Sequence, residues 1–490
     1  MKALLEPIKE IARFDELFRD LKKGTAGVTV ISGCLESQKA HMIAGLSEDA
    51  PVRLLIAENE LKAKELYEDY RLYDAETLYY PAKDLIFYQA DIHGNLLIRQ
   101  RLQVIQALLE RKEVTIITSV GGCMDFLLPL GVFEKHCIHL RNDSELDLDK
   151  IRKELVRLGY ESTFQVESTG QFSVRGGILD IYPLTEQNPI RIELWGDEID
   201  SIRSFDAESQ RSIENLEEIT IYPASELILT EDTIARGVKA IKKEAKAQST
   251  KFRDKMMTEE AARIRHAAEE ICDQIGEGEI LQGVEQYLHY FYPETVSFLE
   301  YLPENSRIFL DEPNRIIECA DALEAEFQES VSHRLEKGYL LPGQAKLMCS
   351  TAELVAKLNR RGCVAVSLME PQKGEWNIRD EFSVTVKSVN SYNNQFPLLV
   401  KDLKSWKKAG YRIVLASPSR TRAQHLAEDL QNEEIPAFYS ENEERVLKPG
   451  EVMLIHGAAR RGFEYPMQKF VLITETDIFG KEKKKNRKKS

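Results

Sequence analysis

The chain has 490 residues, 43% of them apolar and 30% charged, a composition that suits a water-soluble assembly of about three or four domains. No run of about 18 apolar residues occurs, and the acidic N-terminal stretch MKALLEPIKEIARFDELF lacks a signal-peptide core, so a cytoplasmic protein with no membrane partner is expected. The net charge is −15, but seven of the 66 basic residues and one of the 81 acidic ones lie in the last ten positions, KEKKKNRKKS. The first 480 residues therefore carry 59 basic against 80 acidic side chains, a net of −21 and a poor general match for a phosphate backbone.

From Gly27 to about Val120, short β-branched runs alternate with amphipathic stretches. GVTVIS, RLLIAE, TLYYPA and EVTIITSV read as strands, the third weaker than the others. NELKAKELYEDYRLY and LLIRQRLQVIQALLERK read as helices, the second with Ile98, Leu102, Ile105 and Leu109 on one face. This is a parallel-sheet α/β layout. The loop after the first strand, SGCLESQKAH, has the outline of the phosphate-binding pattern GxxxxGK[ST]. Gly33 and Lys39 hold their places. Gln38 stands where backbone should approach a phosphate, and Ala40 replaces the hydroxyl that would ligate magnesium. Glu36 adds a negative charge to the same loop.

After VGGCMDFLLPLG the pattern becomes extended. A helix over DLDKIRKELVRLG, with Leu148, Ile151, Leu155 and Leu158 together, precedes strands at TFQVES, QFSVRGGILDIYP, PIRIELWGDEIDSIRSFD and ITIYP. Within PIRIELW, alternation puts Ile190, Ile192 and Leu194 on one face and Arg191, Glu193 and Trp195 on the other. If the aliphatic face is the core face, Trp195 stands at the surface among charges, a composition typical of interface hot spots. Gly176 and Gly177 suit a bulge or a close backbone approach that turns Arg175 outward.

From about Leu227 the chain is helical and charged. The strand RIFLDEP then ends in Asp311 and Glu312, the acidic pair that accompanies a phosphate loop. A final block, FSVTVKS to KFVLITE, alternates strands with helices over Pro397–Lys408 and Thr421–Gln431. The seven cysteines are scattered and form no CxxC pair, and no histidine has metal-ligand spacing such as HExxH, so no metal or catalytic residue is expected.

The order and wording of QFSVRGGILDIYP, PIRIELWGDEIDSIRSFD, AESQRS, IYPASE, LDEP and GFEYPMQKFVLITETDIFG resemble the region shared by the excision-repair protein UvrB and bacterial transcription-repair coupling factors (Mfd). The resemblance spans nearly the whole chain. The degenerate loop favours the coupling factors, as does the segment 79–102, which looks too short for the damage-probing hairpin of UvrB. The resemblance implies an α/β multidomain fold. Its first part is a degenerate P-loop NTPase-like module formed by residues 1–125 and completed by 226–365. An α+β UvrA-binding domain at 126–225 is inserted in it, a small α/β domain follows at 366–476, and a basic linker occupies 477–490.

It further implies an N-terminal recruitment module that is not itself an enzyme and that contacts UvrA through Arg175, Arg191 and Trp195. Gly33, Gln38, Lys39, Ala40, Asp311 and Glu312 would then be a vestigial nucleotide site, with no cofactor of its own. ATP, magnesium, RNA polymerase and DNA translocation would belong to motor domains beyond this sequence, and a C-terminal domain would mask the UvrA surface. Two other readings stay open: an ATP-binding helicase-like half-site, and DNA binding through the basic tail.

Overall fold

The computed structural model describes residues 2–85, 94–276, 283–371 and 374–480. The basic tail from 481, the middle of the segment 79–102 and part of the IGEGE loop lie outside the described residues.

Strands β1 (Val28–Ser32), β2 (Val52–Ala57), β3 (Leu78–Tyr80) and β4 (Val114–Ser119) come first. After them the chain builds β5 (Glu161–Ser162), β6 (Gln171–Arg175), β7 (Ile178–Ile181), β8 (Ile190–Trp195), β9 (Glu198–Phe205) and β10 (Ser212–Leu216). It then returns to the first sheet with β11 (Arg307–Asp311), β12 (Cys363–Val366) and β13 (Ile378–Ser383). The seven strands run in the order β13-β1-β12-β11-β2-β4-β3 and are all parallel. β1, β4 and β12 are buried at every position, as expected of strands covered on both faces.

Strands β5 to β10 form a second sheet in the order β10-β9-β8-β7-β6-β5, antiparallel except for the short β5–β6 pair. Its inner face carries Phe172, Leu179, Ile181, Ile190, Ile192 and Ile202, all buried. The Leu148–Arg157 helix also lies in this core, through Ile151 and Leu155.

A helical pair follows. Glu231–Asp254 starts at a Thr230/Thr233 capping box and packs antiparallel on Thr258–Gly276. Gly237, Ile241, Ala245 and Ser249, spaced four apart, line the buried stripe against Ala261, Ile264, Ala268 and Cys272.

The last sheet is built from β14 (Lys387–Ser388), β15 (Arg412–Ser417), β16 (Ala437–Tyr439), β17 (Val452–His456), β18 (Phe463–Tyr465) and β19 (Phe470–Thr474), in the order β14-β18-β19-β15-β17-β16. The N-terminal residues Ala3 and Leu4 are buried in its core beside Val414, Met453 and Phe470. Arg460 also ties it to the first sheet's flank, bonding Asp69 through backbone and guanidinium and reaching Glu65 at 2.8 Å.

Two expected strands differ. FSVTVKS does not open the last sheet as one strand. Ile378–Ser383 pairs in parallel with β1, a pairing that Val384 N–H extends by bonding Ser32 O, and only Lys387–Ser388 joins β18. TFQVES is not a strand: the only strand residues here are Glu161–Ser162, just before it. Beyond Ser162 the amides of Glu167 and Ser168 are satisfied by the Gln171 side chain, and the Ser173 hydroxyl donates to Phe164 O. Side chains replace the ladder, and Phe164 is left 83% exposed.

Candidate functional site

Two places gather the residues that the sequence marks out. The first is the outer face of the antiparallel sheet. The β6–β7 register pairs Ser173 with Asp180 and Arg175 with Ile178, and Asp180 faces Arg191 across β7–β8. Arg175, Asp180 and Arg191 therefore share the face opposite the core. Asp180 is buried and holds both arginines. Arg191 binds it through Nε at 2.7 Å and Nη2 at 2.8 Å, a two-pronged geometry, and Arg175 Nη2 adds 3.0 Å. Hydrogen bonding to this carboxylate raises the Arg191 guanidinium above its ordinary range, against the opposing effect of burial. The guanidinium also stacks 4.4 Å over Phe205 and donates to Gln210 Oε1 at 3.0 Å. Both arginines are thus fixed in orientation before any partner arrives.

Trp195 lies four residues beyond Arg191, about 13 Å along the strand and on the same side by alternation. It is 86% exposed, while Ile190 and Ile192 are buried, as the pattern within PIRIELW requires. Gly196, with φ of +67°, begins the two-residue turn to Glu198 that carries Trp195 at the sheet's end. The neighbouring hairpin turns through Gly176, with φ of +60°. A Cβ on Gly177 would lie 3.0 Å from Leu194 O, and the Leu194 amide donates to Gly177 O at 2.8 Å. The two hairpin tips are stitched together, which places Arg175 beside the strand end that bears Trp195. Phe164 completes the face, with the Arg175 guanidinium 5.7 Å from its ring. Neither Phe164 nor Asp180 stands out in the sequence. Asp180 does leave a trace, as an acid in an apolar strand whose alternation puts it on the arginine face.

The second place is the loop after β1. Lys39 is almost fully buried, and its Nζ meets Asp311 Oδ1 at 2.6 Å, Glu312 Oε1 at 2.8 Å and Glu36 Oε1 at 3.1 Å. Burial works against its charge, yet these carboxylates hold the ammonium above its ordinary range. Burial pushes the Asp311 carboxyl up to about 6 despite the pull of Lys39. Backbone groups close the loop as well: Gly33 N–H donates to Leu368 O at 3.1 Å and Cys34 N–H to Ser367 O at 3.0 Å. Gly33 has φ of +81°, and a Cβ there would meet Val384 O at 2.2 Å, so the chain packs where a side chain would stand.

Of the two substituted positions, Gln38 serves another contact. Gln38 is fully buried and its Nε2 donates to the Tyr465 hydroxyl, 2.5 Å away on β18. His41 Nδ1 lies 3.2 Å from the same hydroxyl, and His41 Nε2 lies 2.6 Å from Leu4 O. A carbonyl can only accept, so Nε2 carries the proton and Nδ1 accepts from Tyr465. The result is one relay, Gln38 to Tyr465 to His41 to Leu4, joining the loop, the last sheet and the N-terminus. Burial lowers His41 to about 4. Ala40 is buried in the core with Ile43, Leu55 and Phe309. These residues do not fit a magnesium–nucleotide complex: the cation is already neutralised, the Gly33 and Cys34 amides are spent, and residue 40 has no oxygen. Among the described residues no group of His, Cys, Asp and Glu has the arrangement of a metal site, and all seven cysteines are unpaired. The role of Gln38 and His41 was not visible in the sequence, because their partner Tyr465 lies more than 400 residues away.

Residues 138–227, which build the arginine–tryptophan face, match the family model described as the UvrB interaction domain. Along its length the chain is similar to curated transcription-repair-coupling factors. The Bacillus subtilis (strain 168) protein is 32% identical over 97% of this chain, and that of Staphylococcus aureus (strain Mu50 / ATCC 700699) is 30% identical over all of it. In both cases the chain spans 41% of the relative's length. No described helix is long and apolar enough to cross a membrane. The chain is therefore similar, over 97% or more of its length, to about two fifths of a transcription-repair-coupling factor, and its residues 138–227 match a UvrB interaction domain.

Proposed function

We propose that the chain recruits UvrA for transcription-coupled nucleotide excision repair, and that it does so through the outer face of the β5–β10 sheet. One observation carries the reading: within the UvrB interaction domain, an 86%-exposed Trp195 shares a face with two arginines locked onto buried Asp180. A large aromatic beside pre-oriented arginines is the composition of a binding hot spot. Arg175, Arg191 and Trp195 are the contacting residues in this proposal.

The same proposal treats the β13–β1–β12–β11–β2–β4–β3 sheet as a degenerate P-loop NTPase-like module with the UvrA-binding domain inserted between β4 and β11. It contains no catalytic residue or resident cofactor and works in the cytoplasm. ATP and magnesium chemistry, RNA polymerase contact, DNA translocation and an autoinhibitory mask over the UvrA face are assigned to parts of the coupling factors that this chain does not align with. The closed Lys39 loop speaks against an ATP-binding half-site.

The test is a titration of UvrA against the 490-residue chain. Trp195→Ala and Arg175→Ala are each expected to weaken binding by roughly 2 kcal/mol or more, about 30-fold. Unchanged affinity in both variants, with the fold intact by circular dichroism, would remove this face from the proposal.

A further inference from the structure

The Glu231–Asp254 helix packs its small and apolar stripe on the neighbouring helix, and its other side is strongly basic. At 100° per residue, Arg236, Lys239, Lys242, Lys243, Lys246 and Arg253 fall within about 120° of arc and span roughly 26 Å. All six are exposed. Among the described residues, no carboxylate lies within ion-pair distance of any of the four lysines, although cations elsewhere are paired along their helices, as in Lys62–Glu65 at 3.0 Å and Arg315–Glu318 at 2.9 Å. Arg236 donates to Phe291 O at 2.6 Å.

The sequence explains the missing partners. At i±3 and i±4, each of the four lysines has only alanine, valine, serine, threonine or another cation. The stripe thus brings together like-charged neighbours that disfavour the helix. The only acid between 233 and 253 is Glu244, which points away, accepts from the Tyr290 hydroxyl and takes the Gly343 amide at 3.1 Å. Between Arg236 and Arg253 the face holds no acid, and the exposed Asp232 and Asp254 bound it at either end of the helix; on a chain of net charge −15 this is a local arrangement that does not reflect overall composition.

We infer that this helix face binds the phosphate backbone of duplex DNA without reading its sequence. Protein interfaces centre on aromatic or apolar anchors and are poor in lysine, whereas the exposed residues interspersed here are Ala235, Ala247 and Thr250. Phosphates need only point charges. No aromatic stands on the face to stack unpaired bases, which favours duplex over single strand. The acidic remainder of the chain repels a polyanion elsewhere, so the stripe also fixes the side from which DNA approaches.

The experiment is fluorescence anisotropy of a labelled duplex of about 24 base pairs with the 490-residue chain, repeated over a salt series. The combined variant Lys239→Gln, Lys242→Gln, Lys243→Gln, Lys246→Gln is expected to lose at least about tenfold in affinity near 50 mM salt. It should also lower the slope of log K against log salt by about 3 to 4. Its melting temperature should not fall, since repulsion has been removed. Deleting residues 481–490 should leave the lysine-dependent part of binding in place. The inference is overturned if the unmodified chain does not bind the duplex, if the variant binds equally well, or if tail deletion alone abolishes binding. Capture of a labelled polyglutamate peptide by the same lysines, without duplex binding, would also overturn it by identifying an acidic protein as the partner.

Discussion

Restoring a working phosphate-loop sequence by Gln38→Gly and Ala40→Thr is expected to weaken the protein and leave it unable to bind nucleotide. Gln38 is fully buried, so its truncation removes the 2.5 Å bond to Tyr465, about 1 kcal/mol, and leaves a cavity that costs about 2 kcal/mol. Glycine adds roughly 0.5 kcal/mol of backbone entropy at a position with ordinary right-handed torsions. Part of this is offset, because Gln38 Oε1 is itself buried without a partner and that penalty of about 1 kcal/mol disappears. The net loss from Gln38→Gly is about 2.5 kcal/mol, borne by the contact with the last sheet. The assay is hydrogen exchange by mass spectrometry, where about 2.5 kcal/mol corresponds to an open population about 70-fold larger.

Peptides covering Phe463–Tyr465 and Phe470–Thr474 should lose protection, while Val52–Ala57 in the first sheet keeps its own. Calorimetry with magnesium and ATP at about millimolar concentration should show no saturable heat, because Lys39 still sits among three carboxylates and the Gly33 and Cys34 amides are still bonded. Unchanged protection together with a saturable nucleotide isotherm would refute the assignment of Gln38 to domain packing.

Lys39→Met should destabilise the chain by roughly 3 to 5 kcal/mol in a denaturant titration, since it strands the buried Asp311 carboxylate without its cation; an unchanged midpoint would show the ion cluster to be unimportant. His41 supplies a pH dependence. Its folded value of about 4 lies below the ordinary 6.5, so its contribution is complete above pH 6.5 and is lost as pH falls towards 4, by about 3 kcal/mol. His41→Gln should flatten this part of a stability-against-pH curve, and a curve of unchanged steepness would contradict the assignment. Asp180→Asn should weaken UvrA binding by about tenfold while the sheet stays folded, because both arginines lose a charged anchor. Equal affinity in that variant would mean that arginine orientation does not matter.

What could be read from the sequence depended on how local the cause was. Burial of Ile190 and Ile192 and exposure of Trp195 follow from a period of two within six residues, and the helix with Ile151 and Leu155 from a period of 3.6 within ten. TFQVES had the composition of a strand, but Gln171 and Ser173 compete for its backbone from the next segment, and propensity does not register such competition. FSVTVKS was assigned to the wrong sheet over its first half for a related reason. Its apolar pattern fits either neighbour, and the choice is made by Val28–Ser32, some 350 residues earlier.

The loop SGCLESQKAH shows the limit of motif reading most clearly. A motif specifies what chemistry a site requires, so Gln38 and Ala40 appear in it only as losses. Buried positions are nevertheless filled by something, and the loop's inward side faces a second sheet whose Tyr465 and Phe463 need polar and aromatic partners. Once no phosphate has to enter, the position vacated by the second glycine becomes the shortest route for a side chain from the first sheet's loop to β18. Gln38 takes that route, and His41, one helical turn on, extends it to the N-terminus. On the proposed reading, Gln38, which replaces the phosphate-facing glycine, is thus also a residue that holds the last sheet in place, while Ala40 packs in the first sheet's own core. This is why restoring the motif is expected to cost stability without returning activity.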